Sequence, residues 1–175
     1  MRWGLLPSFV RDPKAGPPMI NARAEGISTK SAFRRAFAER RCLVPADGFY
    51  EWTGLKGARR PFLLRPRQGG LIAFAAIWER WLDRAGGETD LGRHHHVRRQ
   101  RHRRASLHDR MPVVLGPEHF EAWLDCKTTE LKAAQDMLQP APDDLFEAIE
   151  MHPQINDLRR DEPGIQQPLQ TQLLL

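Results

Sequence analysis

Hydrophobic and polar positions along this chain fall into short runs, most of which alternate or are apolar throughout rather than following helical spacing. Such runs predict β-strands. The predicted strands are residues 3–6, 19–23, 42–45, 48–52, 62–64, 71–78 and 113–115. The run at 71–78 is apolar and rich in residues that favour strands, which predicts a central strand. Residues 53–60 carry Gly54 and Gly57, so they are expected to turn the chain between two paired strands.

Helical spacing is confined to three segments. Ser31 is predicted to cap a helix that continues to Arg40. Its residues at core spacing are Phe33, Ala36 and Phe37. A second helix is predicted to begin at Pro117, with Phe120, Trp123 and Leu124 on one face. A third is expected over 130–138. The resulting class is α+β, with a mostly antiparallel curved sheet or barrel and peripheral helices.

The composition is that of a soluble globular protein. The chain has 175 residues, of which 41% are hydrophobic and 28% charged, as expected for one domain. No apolar run approaches the roughly 18 residues of a membrane span, and no secretory signal is visible. These features predict a cytoplasmic protein without a membrane partner. Cys42 and Cys126 show neither metal-ligand spacing nor a disulfide framework, and Cys42 is expected to be a buried structural thiol.

The positive charge of the chain is concentrated in one segment. The formal net charge is +5, which is compatible with nucleic-acid binding. Residues 92–105 contain six arginines and no acidic residue, so subtracting those six from +5 leaves −1 for the rest. The basic character therefore belongs to this segment rather than to the whole fold.

Three strings place amide or ionisable side chains inside apolar stretches. They are Asn21-Ala-Arg-Ala-Glu25, Gly48-Phe-Tyr-Glu-Trp52 and His108-Asp-Arg-Met-Pro112. Polar groups in apolar surroundings are costly unless they are satisfied or used. Structural alternatives exist for each: Asn21 could hold a turn, Arg23 could pair with Glu25, Glu51 could lie on the surface of an edge strand, and His108 could be a hydrogen-bonding hub.

Together these strings resemble the SRAP family, the SOS response-associated peptidases. Further matches are Trp3-Gly-Leu-Leu-Pro7, Cys42-Leu-Val-Pro-Ala-Asp47, Phe74-Ala-Ala-Ile-Trp78 and Ile155-Asn-Asp157. The resemblance implies a partial SRAP domain over residues 1–163, lacking the N-terminal part of the family's domain, and a tail over 164–175. It also implies covalent capture of abasic sites in single-stranded DNA during the SOS response, with associated autopeptidase activity.

The resemblance implies a role for each candidate residue. Asn21 would orient the reacting amine or the opened sugar, and Arg23 would bind a DNA phosphate. Glu51 would act as acid and base, with a pKa raised by its apolar neighbours, and His108 would shuttle a proton. Trp3 and Phe9 would stack or wedge against bases, and Arg2 would contact phosphate. The family further implies a monomer without metal or cofactor, in the cytoplasm and at the nucleoid of a bacterium.

The basic segment has three interpretations. It could be an arm that contacts phosphates. The histidines 94, 95, 96 and 102 could bind a metal, but adjacent histidines do not naturally converge on one ion. The favoured interpretation is a shifted reading frame. Read one nucleotide later with GC-rich codons, the segment resembles the family's β-branched strand and its Thr-x-x-Ala-Asn motif, and a second shift near Ser106 would restore the frame.

The family nucleophile, a cysteine directly after the initiator Met, has no counterpart in a sequence that starts Met1-Arg2-Trp3. Its α-amine and thiol together close a thiazolidine ring on the sugar aldehyde. The nitrogens of Cys42 and Cys126 are amides, so neither can replace it, and the Met1 amine could form only a reversible Schiff base. The sequence therefore predicts no stable crosslink and a chain that is inactive as written, so whether it is an enzyme stays open. The alternatives are a non-covalent single-stranded DNA-binding module and a degenerate fragment that does not fold.

Overall fold

The computed structural model describes residues 2–12, 19–55, 57–81, 93–100, 110–142, 144–157, 159–160 and 162–169, with residues 2, 3, 93–100 and 163 described by their backbone. The strands in chain order are β1 (Arg2–Trp3), β2 (Asn21–Arg23), β3 (Arg41–Ala46), β4 (Phe49–Thr53), β5 (Arg60–Pro66), β6 (Ile72–Glu79), β7 (Arg93–Gln100), β8 (Arg110–Pro112), β9 (Val114–Leu115) and β10 (Phe146–Glu150). The α-helices are α1 (Arg34–Glu39), α2 (Phe120–Leu124) and α3 (Leu131–Asp136). The 3-10 helices are Ala24–Gly26, Pro117–His119, Pro153–Asn156 and Pro163–Ile165.

The first of two compact units (Met1–Pro45, Ala73–Gln100 and Arg110–Ala141) is built on a seven-stranded sheet with the main order β1-β7-β6-β3. Along one edge of β7, β1 and then β2 pair in parallel, and along its other edge β6 and then β8 pair antiparallel. Strand β9 pairs antiparallel with β6. The prediction of a central strand at 71–78 is confirmed, because β6 has hydrogen-bonded neighbours on both sides.

Strand β7 lies in the basic segment, which shows no strand periodicity in sequence. Its backbone nevertheless pairs with four strands. Ladder hydrogen bonds join main-chain groups and do not require alternating side chains, so a segment without a strand pattern can still complete a sheet. The basic arm and the shifted reading frame both stay predictions, since a strand backbone is compatible with either.

The core of the first unit lies between the sheet and the three helices. Its fully buried members include Ile27, Phe37, Ile77, Val113, Trp123 and Leu138. The predicted inward face of the first helix is confirmed, since Phe33, Ala36 and Phe37 are buried. The phenyl ring of Phe37 meets the indole of Trp123 at a centroid distance of 6.0 Å. This contact joins α1 to α2 within one apolar cluster.

Two details of the predicted helices are wrong. Ser31 does not cap α1; the N-cap is Phe33, without a side-chain hydrogen bond. The reason is a turn at Lys30, whose carbonyl accepts from the backbone N–H groups of both Phe33 and Arg34 at 2.9 Å and thereby delays the helix. Leu124 does not join the inward face of its helix. It is 49% exposed, because α2 ends at this residue after little more than one turn.

The second unit has its described residues in Ala46–Ile72 and Pro142–Leu175 and contains an antiparallel sheet of order β10-β5-β4. The predicted pair of strands joined by the turn at 53–60 is confirmed as β4 and β5. Gly54 has φ +98° in that turn, a left-handed conformation that glycine adopts without a steric penalty. Phe49 and Phe146 pack edge to face across the sheet with a centroid distance of 5.4 Å.

The fold class is confirmed as mixed α and β with mainly antiparallel sheets. The described strands form two open sheets, so the sheet alternative holds and these strands do not close into a barrel. None of the helices in the described ranges is long and apolar enough to cross a membrane.

Arg41 holds the helices of the first unit against β3 through a buried guanidinium. Its side chain donates to three backbone carbonyls: Nε to Trp123 O at 2.6 Å, Nη2 to Asp125 O at 2.6 Å and Nη1 to Phe37 O at 3.1 Å. These carbonyls lie at the C-terminal ends of α1 and α2, where backbone acceptors lack intrahelical partners. One cation therefore satisfies the ends of two helices at once.

Replacing Arg41 with alanine should lower the free energy of unfolding by about 3 kcal/mol or more, because three carbonyls would lose charge-assisted donors in a buried site. The measurement is urea unfolding followed by far-UV circular dichroism. Arg35→Ala is the matched control: Arg35 is an exposed arginine on α1 in an ion pair with Glu39, and its loss should change stability little. Equal effects of the two substitutions would contradict the role given to Arg41.

Candidate functional site

The exposed face of β2 carries two of the predicted site residues. Ala22 is buried in the core, whereas Asn21 and Arg23 on either side of it are exposed. Because side chains alternate along a strand, Asn21 and Arg23 share one face and lie about 7 Å apart along it. Within the described part of the chain, neither side chain makes a hydrogen bond or ion pair. Both side chains are therefore exposed and make no polar contact that holds the described part of the fold.

The turn after β2 is anchored independently of these two side chains. Gln135 on α3 donates from Nε2 to the carbonyl of Ala24 at 2.6 Å. Arg110 Nη1 donates to Glu25 Oε2 at 3.3 Å and forms an ion pair with it. The alternative in which Arg23 pairs with Glu25 is not realised. The alternative in which Asn21 holds a turn is not realised either, since Asn21 lies within a strand.

The register of the sheet brings β1 next to the Asn21 end of β2. Arg2 lies opposite Arg93 and Trp3 opposite His94 on β7, while Asn21 lies opposite His96 on the same edge. Trp3 and Asn21 are therefore two register positions apart, about 7 Å along β7. Arg2 and Trp3, both predicted to contact DNA, thus belong to the same sheet edge as Asn21 and Arg23.

Phe9 stands at the tip of a tight turn in the first unit. Val10 N–H donates to the carbonyl of Pro7 at 3.0 Å, which closes the turn around Ser8 and Phe9. Trp81 Nε1 donates to Val10 O at 2.7 Å and fixes the turn to the unit. Phe9 is 58% exposed, so its ring is accessible to a stacking partner, and its contact with bases stays a prediction.

Glu51 is a buried carboxylate in the second unit. It lies on β4, at the edge of its sheet, yet it is only 6% exposed. The alternative of a surface glutamate is therefore wrong, although its edge-strand position is right. Burial in an enclosed environment is what an acid–base carboxylate requires. Tyr50 precedes it, and burial, followed by the charge of Asp47, raises the pKa of the Tyr50 phenol above its usual value.

Trp52 is a candidate that the sequence analysis did not single out. It is 37% exposed, and its indole Nε1 donates to Asn156 Oδ1 at 2.7 Å. Its ring lies 6.2 Å from that of Tyr50 between centroids. A signal for it exists in the sequence: once Glu51 is assigned inward, strand alternation turns Tyr50 and Trp52 to the opposite face. Indole stabilised in this way can present a flat surface to a base.

The structure brings the predicted residues together only in part. Asn21 and Arg23 share a face of the first unit, with the backbone of Arg2 and Trp3 on the same sheet edge. Glu51 lies in the second unit, and His108 lies outside the described residues. Among the residues that are described, no group of three histidine, cysteine or acidic side chains could hold a metal ion.

Cys42 is unsuited to nucleophilic chemistry. It is half-buried, whereas a buried thiol is predicted from the sequence. Burial, followed by the nearby Cys126, raises the pKa of its thiol to about 12. The reactive form of cysteine is the thiolate, which is therefore very scarce at Cys42 near neutral pH. Trp123 Nε1 donates to the carbonyl of Cys42 at 2.8 Å, which agrees with a structural position.

The chain is similar to known proteins both in sequence and in fold. Residues 1–158 match the family model described as SOS response associated peptidase (SRAP). The chain is 35% identical over 170 residues to the abasic site processing protein YoqW of Bacillus subtilis, covering 94% of this chain and 74% of that protein. It is 37% identical over 161 residues to YoaM of the same organism, likewise called an abasic site processing protein, covering 89% and 69%. A crystal structure of a Bacteroides thetaiotaomicron protein has the same fold, with a TM-score of 0.79, 24% identity, and coverage of 95% and 75%.

The raised thiol pKa predicts that Cys42 resists alkylation in the folded protein. In a Cys126→Ser variant, iodoacetamide at pH 7.5 should label Cys42 slowly. Labelling should become fast in 6 M urea, because unfolding returns the thiol to its ordinary pKa of about 8.5. Intact-mass spectrometry over time measures both rates. The Cys42→Ser variant provides the comparison for Cys126. Equal native and denatured rates at Cys42 would show that burial does not protect it.

Proposed function

Because this chain belongs to the SOS response-associated peptidase (SRAP) family, we propose that it processes abasic sites in single-stranded DNA. The observation that carries the proposal is the exposed face of β2, where an amide and a guanidinium stand side by side without structural partners among the described residues. The names of the Bacillus relatives as abasic site processing proteins support the same substrate.

The chemistry of an abasic site fits the residue types at this face. A phosphodiester flanks the lost base on each side, and a guanidinium such as that of Arg23 can hold phosphate oxygens in a bidentate manner. The opened sugar offers an aldehyde and hydroxyl groups, to which the Asn21 amide can both donate and accept. The two side chains would therefore recognise the backbone and the damaged sugar, respectively.

Proton transfer falls to Glu51 and His108 in this proposal. Forming or breaking an imine at the sugar aldehyde needs a group that gives and takes protons. Support for Glu51 comes from its burial, with 6% of the residue exposed, and from its position between Tyr50 and Trp52 on β4. His108 is assigned as the proton shuttle from the family resemblance and from the ordinary pKa of imidazole.

Aromatic side chains would complete the DNA contact. Phe9 supports this part of the proposal through its exposed ring, and Trp52 through its half-exposed indole. Trp3 and Arg2 are assigned as DNA contacts from the sheet edge that they share with Asn21. We further propose that the protein acts as a monomer without metal or cofactor, at the nucleoid of a bacterial cell. The family carries peptidase, hydrolase and lyase activities, but neither Cys42 nor Cys126 can supply the family's cysteine chemistry, so we do not propose these activities for the chain as written.

Arg23 and Asn21 are expected to affect different parts of binding. Arg23→Ala should weaken binding to all single strands. It should also reduce the slope of log K against log[salt] by roughly 0.7, the value of one phosphate contact. Asn21→Ala should instead remove the preference for a strand with an abasic analogue over an intact strand. Fluorescence anisotropy at several salt concentrations measures both effects.

Lys132→Ala serves as the control for these variants, because Lys132 is an exposed cation on α3 that pairs with Asp136. It should leave affinity and salt slope close to those of the unchanged chain. A chain that binds intact and abasic strands equally, whatever residue stands at 21, would be a general single-stranded DNA-binding module, and the proposed function would be wrong.

Covalent capture should not survive denaturation in the 175-residue polypeptide. A thiazolidine needs an amine and a thiol on neighbouring carbons, and the nitrogens of Cys42 and Cys126 are amides. After incubation with an aldehydic abasic oligonucleotide, a denaturing gel should show no shifted band, whereas borohydride should trap any imine formed by an amine. The Cys42→Ser, Cys126→Ser double variant should behave identically. A gel-stable adduct without borohydride would contradict this expectation.

A further inference from the structure

A groove in the first unit, whose lining includes neither Asn21 nor Arg23, has a volume of about 470 Å3. The residues that define its chemistry are Pro7, Phe9, Ala32, Arg34, Arg35 and Glu79. Its size is within the range of small-molecule sites, about 300–1,000 Å3. Most of its surface is apolar, and its polar side chains are two guanidiniums, one carboxylate and the hydroxyls of Ser8 and Ser31. That combination is suited to a flat, polar ring attached to an anion.

Glu79 supplies a buried acceptor at this groove. Its side chain is 7% exposed, and its carboxylate is fixed by two donors. Arg40 Nη2 donates to Oε2 at 3.0 Å, and Arg80 N–H donates to Oε1 at 3.0 Å. A carboxylate has about four lone-pair positions, so each oxygen retains capacity for a further donor. A ligand amino group entering the groove would find a positioned acceptor.

Cations and an aromatic ring stand at the opening of the same groove. Arg34 is exposed and makes no hydrogen bond or ion pair with another described residue. Arg35 reaches Glu39, with Nε 3.2 Å from Oε2, and remains 68% exposed. Phe9 borders the groove with its exposed ring. A phosphate can therefore be met by a guanidinium while the attached base stacks on the phenyl ring.

We propose that this groove binds one base of the single-stranded DNA, with Glu79 accepting a hydrogen bond from the exocyclic amino group of the base and Arg34 contacting its phosphate. The inference rests on the proposed function, since it assumes that the protein holds a DNA single strand. A carboxylate accepts from the N4 amino group of cytosine, whereas uracil presents a carbonyl oxygen at the same position. The groove therefore discriminates between two pyrimidines of equal size.

The test uses the full chain and oligonucleotides that are thymidine throughout except for one abasic analogue and one dC or dU, placed in turn at each neighbouring position. At one of these positions dC should bind about fivefold to tenfold more tightly than dU, within the usual cost of a wrong base. Glu79→Gln should abolish that difference, because an amide can serve either base. Thermal unfolding checks that this variant still folds, since Glu79 also holds Arg40.

Arg34→Ala provides a second measure that does not depend on the buried pair. It should weaken binding of the dC strands and reduce the salt slope by roughly 0.7, whereas Lys132→Ala should not. Equal binding of dC and dU at every position, or an Arg34→Ala variant that matches the control, would overturn the inference. The same dC and dU strands without the abasic analogue test the proposed function separately. If the unchanged chain binds them as tightly as the abasic strands but still prefers dC, the proposed function alone is refuted.

Discussion

The buried guanidinium of Arg41 is the interaction on which the first unit depends. It is the only side chain in the described part that donates to carbonyls near the ends of both α1 and α2, and its own backbone belongs to β3. The cation also lies 5.7 Å from the ring of Trp123, so apolar and polar contacts act on the same group. Because a buried cation without acceptors is very costly, the helices can pack in few other ways.

The candidate site in the same unit is held by a separate set of contacts around β2. Strand β2 has only three residues and could not persist alone, since an isolated pair of short strands is marginal in water. It is held by β7 along its length, by Ala22 in the core, and by the hydrogen bond from Gln135 to Ala24. Because the backbone and Ala22 make these contacts, β2 is held without the side chains of Asn21 and Arg23.

Sequence patterns predicted the elements well where the signal is local. The apolar run that became β6 and the glycine-containing turn between β4 and β5 are both confirmed, because burial and turn chemistry act over a few residues. Pairings between distant residues were not predictable: the bond from Trp52 to Asn156 spans 104 positions. Strand β7 was not predictable either. Its sequence follows no strand pattern, and it is a strand because its backbone forms hydrogen bonds with neighbouring strands.

The distribution of charge favours DNA recognition by individual, positioned side chains over a general attraction by the whole surface. Outside the basic segment the chain carries a formal charge of −1, so any broad attraction of a polyanion must come from that segment, part of which is β7. Elsewhere in the described part, affinity for a polyanion must come from individual guanidiniums at defined positions, such as Arg23 near Asn21 and Arg34 beside the Glu79 groove. A carboxylate next to a cation would weaken a purely electrostatic DNA site. Its presence in the groove is understandable if the ligand also brings a hydrogen-bond donor, which a nucleobase does and a phosphate alone does not.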